Sequence, residues 1–225
     1  ADAKFGLALN DLPAFVALAK SLQARIDVLH AHVGSGVKDV SHWAQLFAQL
    51  AQVADDIGSV KAINLGGGLS VPYHDKEDEF DIAALAHTLH DSKSQWPQYA
   101  LWMEPGRFMS AQCGVLLTRI AQVVGKLGVC RVGLDAGMNA LMRPALYESK
   151  HRIVNLSRMD EPSSLKVDVV GPICESTDVL ARRVLLPAQS REGDVVLIDT
   201  AGAYGFVMAN QYHKRALPRE EILDV

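Results

Sequence analysis

What this sequence lacks narrows its possibilities before any motif is considered. Only three of its 225 residues are cysteine: Cys113, Cys130 and Cys174. An odd number without metal-ligand spacing builds neither a disulfide framework nor a zinc site, so no metal is expected and the expected setting is the reducing cytoplasm. No apolar run approaches the roughly 18 residues of a membrane span, and no secretory pattern occupies the first residues. There is no surplus of positive charge either. The formal net charge is −4, which removes the basic face that non-specific nucleic-acid binding requires. Neither G-x-G-x-x-G nor a G-K-[ST] loop occurs, so the dinucleotide and Walker fingerprints are missing. Internal repeats and low-complexity linkers are absent as well. What is present is an ordinary globular composition, 49% hydrophobic and 21% charged, sufficient to bury a core in one large domain or two small ones.

The first half of the chain alternates. Asp11 is placed to cap a helix whose apolar residues Leu12, Phe15, Val16, Ala19 and Leu22 recur at three- and four-residue steps. A short strand is expected over 26–32, ending in His32-Val33-Gly34-Ser35-Gly36. Trp43, Leu46, Phe47, Leu50, Val53 and Ile57 form one helical stripe, with Gly58 positioned to end it. A strand over 60–65 runs into Gly66-Gly67-Gly68, Asp81 opens a third helix through Ile82, Leu85 and Leu89, and a strand over 99–103 delivers Glu104-Pro105-Gly106-Arg107. Pro105 and Gly106 are expected to interrupt regular structure there. This alternation predicts parallel strands with crossover helices, in an open sheet or a (β/α) barrel.

Three successive strand ends therefore carry polar or glycine signals, and in both architectures ligands bind at the carboxyl ends of strands. Taken singly, each has an ordinary explanation: a hydrogen-bonded histidine, a flexible turn, two solvated charges. Their recurrence at consecutive strand ends points to a ligand site. The triple glycine suits a phosphate, because its backbone N–H groups carry no Cβ beside them.

After Gln112 the texture becomes β-rich. Short runs at 115–117, 129–134, 167–170, 183–186, 195–198 and 206–209 are separated by turns such as Arg191-Glu192-Gly193-Asp194. They predict an antiparallel sandwich or barrel. The resulting division is a partial (β/α) barrel over 1–110 and a β domain over 111–225.

Seven motifs, in order, resemble the fold-type III decarboxylases that use pyridoxal 5′-phosphate (PLP), in particular their diaminopimelate-decarboxylating branch. They are HVGSG at 32–36, GGGL at 66–69, EPGR at 104–107, DAGMN at 135–139, RPALY at 143–147, GPICES at 171–176 and TAGAYG at 200–205. The likeness spans essentially the whole chain. Its first three motifs are shared with ornithine and arginine decarboxylases, whereas RPALY and CES favour diaminopimelate. The implied fold is α/β plus β, the later half of an alanine-racemase-like (β/α)8 barrel followed by an antiparallel β domain. The implied reaction is conversion of meso-2,6-diaminopimelate to L-lysine and CO2.

By the same resemblance Glu104 holds the proton on the pyridine nitrogen of PLP, and His32 stacks on the ring. Ser35, Gly67 and Gly68 hold the phosphate. Gly106, Arg107 and Tyr204 also line the cofactor. Arg107, Arg143 and Tyr147 serve the substrate's distal carboxylate, a task suited to Arg. Glu175 pairs with the distal ammonium, Tyr204 also touches the substrate, and Cys174 is the general acid. Taken from sequence alone, Cys174 also reads as an inert thiol. Because Cys174 and Glu175 are expected to reach a partner subunit's site, the resemblance implies a homodimer.

The departures are informative. The family's PLP-bearing lysine lies on an early barrel strand, and none of the ten lysines here has that setting. Ser70 and Thr177 stand where glycine is usual. The chain opens at Ala1 and holds about half the helix–strand units of a barrel, so it is expected to be a piece of a longer decarboxylase, inactive alone. Two alternatives remain open: a decarboxylase for ornithine, arginine or carboxynorspermidine, and a lysine-less regulatory relative.

Overall fold

A computed structural model describes residues 4–74, 76–126 and 128–223. The chain forms two compact units. One comprises residues 1–71 and 79–106, the other residues 72–78 and 107–225.

The first unit holds helix α1 (Leu12–Ser21), strand β1 (Val28–His30), helix α2 (Ser41–Ile57), strand β2 (Ala62–Asn64), helix α3 (Ile82–Gln95) and strand β3 (Ala100–Trp102). The strands pair in parallel in the order β1-β2-β3, as helix–strand alternation demands. Leu29, Ile63 and Leu101 are in register across the sheet, as are His30, Asn64 and Trp102. The second row lies at the carboxyl ends of the strands.

Helix α2 follows its stripe. Trp43, Phe47, Ala51 and Ala54 are fully buried, and Gly58 closes the helix at φ 75°. A left-handed residue at that point costs a glycine nothing. The Asp81 side chain caps α3 by accepting from the Ala84 N–H at 2.8 Å. Asp11 precedes α1 without a side-chain cap, and that helix buries only Ala19, leaving Phe15, Leu18 and Leu22 exposed. Regular structure is interrupted at residues 103–105, between β3 and a short helix, α4 (Gly106–Ser110); Gly106 therefore opens a helix rather than sharing in the interruption.

The second unit is a six-stranded sheet in the order β6-β9-β4-β5-β7-β8. Its strands are β4 (Leu116–Lys126), β5 (Val129–Leu134), β6 (Ile153–Asn155), β7 (Ser163–Val170), β8 (Val179–Pro187) and β9 (Val195–Ile198), with helix α5 (Arg143–Tyr147) between β5 and β6. The end strands β6 and β8 approach each other, so the sheet nearly closes. Alternate residues Val132 and Leu134, Val167 and Val169, and Val196 and Ile198 form its core.

The sheet is antiparallel apart from the β5–β7 pair, which is parallel, and this refines the all-antiparallel expectation. Two further differences concern short segments. Strand β6 carries no run long enough to announce itself. Residues 206–209, expected as a strand, instead form a 3₁₀ turn at Phe206–Met208. The Asn210 N–H then donates to the Asn139 carbonyl, a loop contact rather than a ladder.

Candidate functional site

In the first unit the three strand-end loops meet through their backbones. A Cβ on Gly67 would lie 2.3 Å from the Glu104 carbonyl oxygen, and one on Gly68 2.3 Å from that of Gly34. Gly68 also has φ +105°, so any side chain there is both blocked and strained. Gly67 and Gly68 are thus required by close approach of the 104–106 and 34–36 loops, and Gly66 by its φ of +64° and the Ala31 carbonyl oxygen 2.8 Å from where its Cβ would lie. Parallel hydrogen bonds tie them too: Glu104 N–H donates to the Gly66 carbonyl, and Val37 N–H to that of Gly68.

This packing orients the polar side chains. The Glu104 carboxylate accepts from Asn64 Nδ2 at 2.8 Å, and its other oxygen is 3.5 Å from His30 Nε2. His32 Nδ1 accepts from the Gly67 N–H at 3.3 Å, which leaves the ring proton on Nε2 and fixes the imidazole plane. The Gly68 N–H has no protein acceptor among the described residues, and the Ser35 side chain is exposed. His32, Ser35, Gly67, Gly68, Glu104 and Gly106 thus lie on three loops that meet in the first unit. Asn64 and His30 were missed by sequence reasoning. Their register beside each other at strand ends is the signal that could have found them.

In the second unit the expected residues fall on three segments. Arg143 is buried on α5, while Tyr147, one turn later, is exposed. Arg143 Nη1 is 3.3 Å from His151 Nε2, and its guanidinium lies 5.1 Å from the Tyr73 ring centre. Arg107 donates to the Tyr73 hydroxyl at 3.2 Å. No carboxylate pairs with Arg143 among the described residues. A buried cation whose partners are all uncharged is a costly arrangement without an anionic ligand.

Cys174 is exposed on the 171–178 loop, and Glu175 accepts a hydrogen bond from the Tyr212 hydroxyl. That carboxylate pushes the Tyr212 phenol above its ordinary range, chiefly through the hydrogen bond. Tyr204 is half exposed at φ 60°, in a loop pinned by Ala201 N–H to the Gly114 carbonyl and Gly202 N–H to that of Ala111. A Cβ on Gly202 would strike the Ser110 carbonyl oxygen at 2.1 Å, which accounts for glycine in TAGAYG.

The organiser of two of these motifs is Asp178, another residue that sequence reasoning left without a role. Its carboxylate, 3% exposed, accepts from the Met138 N–H at 2.6 Å and the Ile173 N–H at 2.7 Å. It thereby joins DAGMN to GPICES. Gly137 and Gly171 leave room for it, since a Cβ on either would contact its oxygens. Burial raises its pKa, and the two amide donors oppose that rise.

Comparison with known proteins adds the following. Residues 15–202 match the family model described as pyridoxal-dependent decarboxylase, C-terminal sheet domain. The diaminopimelate decarboxylase of Methanothermobacter thermautotrophicus is 36% identical, the alignment covering 98% of this chain and 54% of that protein. For the Escherichia coli enzyme of the same name the values are 33%, 99% and 57%. The crystal structure of diaminopimelate decarboxylase from Helicobacter pylori complexed with L-lysine superposes with a TM-score of 0.84 at 30% identity, covering 96% of this chain and 54% of that one. The chain spans about half the length of the relatives it matches.

Proposed function

Since this chain belongs to the pyridoxal-dependent decarboxylase family, we propose that the protein that carries it decarboxylates meso-2,6-diaminopimelate to L-lysine and CO2, with PLP as cofactor. The observation that supports it most is Arg143, a buried guanidinium with uncharged protein partners. Diaminopimelate differs from ornithine in carrying a second carboxylate, and a fixed, desolvated arginine is the side chain suited to bind it bidentately.

The residues of the first unit fit PLP. Glu104, pre-oriented by Asn64, would hold a proton on the pyridine nitrogen. His32, its plane set by the Gly67 N–H, would lie against the ring. Ser35 and the Gly68 N–H, with Gly67 beside them and Gly106 at the start of the neighbouring helix, would receive the phosphate. When bound, PLP supplies the electron sink for the pair left by departing CO2.

In the second unit Arg107 and Arg143 orient the distal carboxylate, Tyr147 adds a hydroxyl, and Glu175 accepts from the distal ammonium. Tyr204, half exposed, would contact cofactor and substrate, and Cys174 would deliver the proton that replaces CO2. The exposure of Cys174 and Glu175 supports a homodimer in which they serve the partner's site. The three thiols are all unpaired, which suits the cytoplasm. Residues 1–110 are read as the PLP-binding barrel portion and 111–225 as the substrate and dimer domain. No helix among the described residues is long and apolar enough to cross a membrane.

Turnover by the purified PLP-loaded protein, offered meso-diaminopimelate, ornithine and arginine separately, tests this. Release of L-lysine from diaminopimelate at a kcat/KM at least tenfold above that for the others is expected. Preference for ornithine or arginine, or no turnover of any of them, would overturn it.

A further inference from the structure

Tyr73 and His151 belong to no motif of the reaction, yet both arginines assigned to the substrate carboxylate rest on them. The Tyr73 ring centre lies 5.1 Å from the Arg143 guanidinium carbon and 5.8 Å from that of Arg107. Its hydroxyl accepts from Arg107 Nη1 at 3.2 Å. One aromatic side chain thus contacts both cations, as the negative π-face permits. His151 packs edge-on against the same ring, with centres 5.2 Å apart.

The hydrogen bonds of His151 decide what it offers to Arg143. Its Nδ1 is 2.9 Å from the Asp199 carbonyl oxygen, an atom that can only accept, so the proton sits on Nδ1. Nε2 then carries the lone pair and accepts from Arg143 Nη1 at 3.3 Å. Burial and the Arg143 charge keep this imidazole below its usual pKa, against the opposing pull of Asp199. The groups facing His151 are Arg143, Asp199 and Tyr73.

We propose that Tyr73 and His151 are positioning residues that hold Arg107 and Arg143 as a prearranged pair for a single carboxylate of an amino-acid ligand. The choice of uncharged partners matters. An acidic partner would fix an arginine equally well, but it would neutralise the charge and compete with the incoming carboxylate. An aromatic face and a neutral imidazole immobilise the guanidiniums while leaving their charge for the ligand, so less freedom is lost when it binds. The inference rests on Arg107 and Arg143 receiving the substrate carboxylate.

The test compares L-lysine, which carries that carboxylate, with cadaverine, which does not, as ligands of the PLP-loaded full-length protein. Dissociation constants are read alongside KM and kcat for meso-diaminopimelate. His151→Leu and Tyr73→Leu are each expected to weaken L-lysine about tenfold while changing cadaverine by less than about twofold. KM rises in parallel, with a smaller loss in kcat. His151→Gln, whose amide oxygen can accept from Arg143, recovers most of the affinity. Tyr73→Phe, which keeps the ring and drops the hydroxyl, falls between wild type and Tyr73→Leu. The two milder variants carry the test if the leucine variants do not fold. Should Arg143→Gln weaken L-lysine while the Tyr73 and His151 variants bind it like wild type, the positioning role is wrong and the carboxylate assignment stands. Should Arg143→Gln itself bind L-lysine like wild type, the carboxylate assignment is wrong and this inference falls with it.

Discussion

In the first unit a Cβ on Gly67 would press to 2.3 Å from the Glu104 carbonyl oxygen, whereas in the second unit the Met138 and Ile173 amides are gathered by one carboxylate, that of Asp178. Both units thus present loops carrying candidate site residues, but they hold them by different means. The first brings backbone against backbone where no side chain fits. The second uses buried polar side chains as hubs: Asp178 for the 135–139 and 171–176 loops, and His151 for Arg143. Steric holding is blind to pH and intolerant of added volume. Polar holding tolerates small changes of shape and fails when an acceptor is removed or a proton added.

The largest effect is expected at the steric contact. Gly67→Ala must separate two strand-end loops whose carbonyl cannot yield as a flexible side chain would, and should cost about 3 kcal/mol or more. Urea unfolding of the variant measures it, and a midpoint equal to wild type would show that the loops part freely. Asp178→Ala comes next. It strands the buried Ile173 N–H and the part-buried Met138 N–H, at about 1–3 kcal/mol in total because the second can turn to water, whereas Asp178→Asn keeps an acceptor and should lose clearly less. Equal losses for the two variants would contradict the hub.

A pH effect is expected only of the second kind of holding. The folded-state pKa of His151 lies below its unfolded value of about 6.5, mainly through burial. The folded form therefore binds fewer protons than the unfolded one. Its contribution is complete above about pH 6.5 and is lost as pH falls through the lowered folded-state value. Thermal melts between about pH 7.5 and 5 should fall more steeply for wild type than for His151→Gln, and parallel curves would refute the neutral imidazole. Smallest of all is Arg25→Ala. The Arg25–Asp27 pair at 2.9 Å is solvent-exposed, and such pairs are screened. No resolvable shift in melting temperature is expected, and a clear loss would mean that surface charge matters more here than the hubs imply.

The same contrast explains what could be read in advance. Local pattern announced the α2 stripe from Trp43 to Ile57 with its terminating Gly58, the Asp81 cap, and the three strand ends at His32, Gly66 and Glu104, because each is encoded by neighbours in the chain. The glycine triplet was legible as a special backbone position, though not that its reason is the Ala31, Glu104 and Gly34 carbonyls. Asp178, His151 and Tyr73 were not legible. Asp178 meets Met138 across 40 residues and His151 meets Asp199 across 48, and no spacing rule connects such pairs. Residues 206–209 misled for the opposite reason: a local run with strand-like composition has no strand to pair with.

The most direct measurement is the position of the carboxylate in a crystal structure of the PLP-loaded protein with L-lysine. Its oxygens should lie within hydrogen-bond reach of the Arg107 and Arg143 guanidiniums, with Tyr73 and His151 still against them. A lysine carboxylate bound elsewhere, with Arg143 left facing only Tyr73 and His151, would contradict the account.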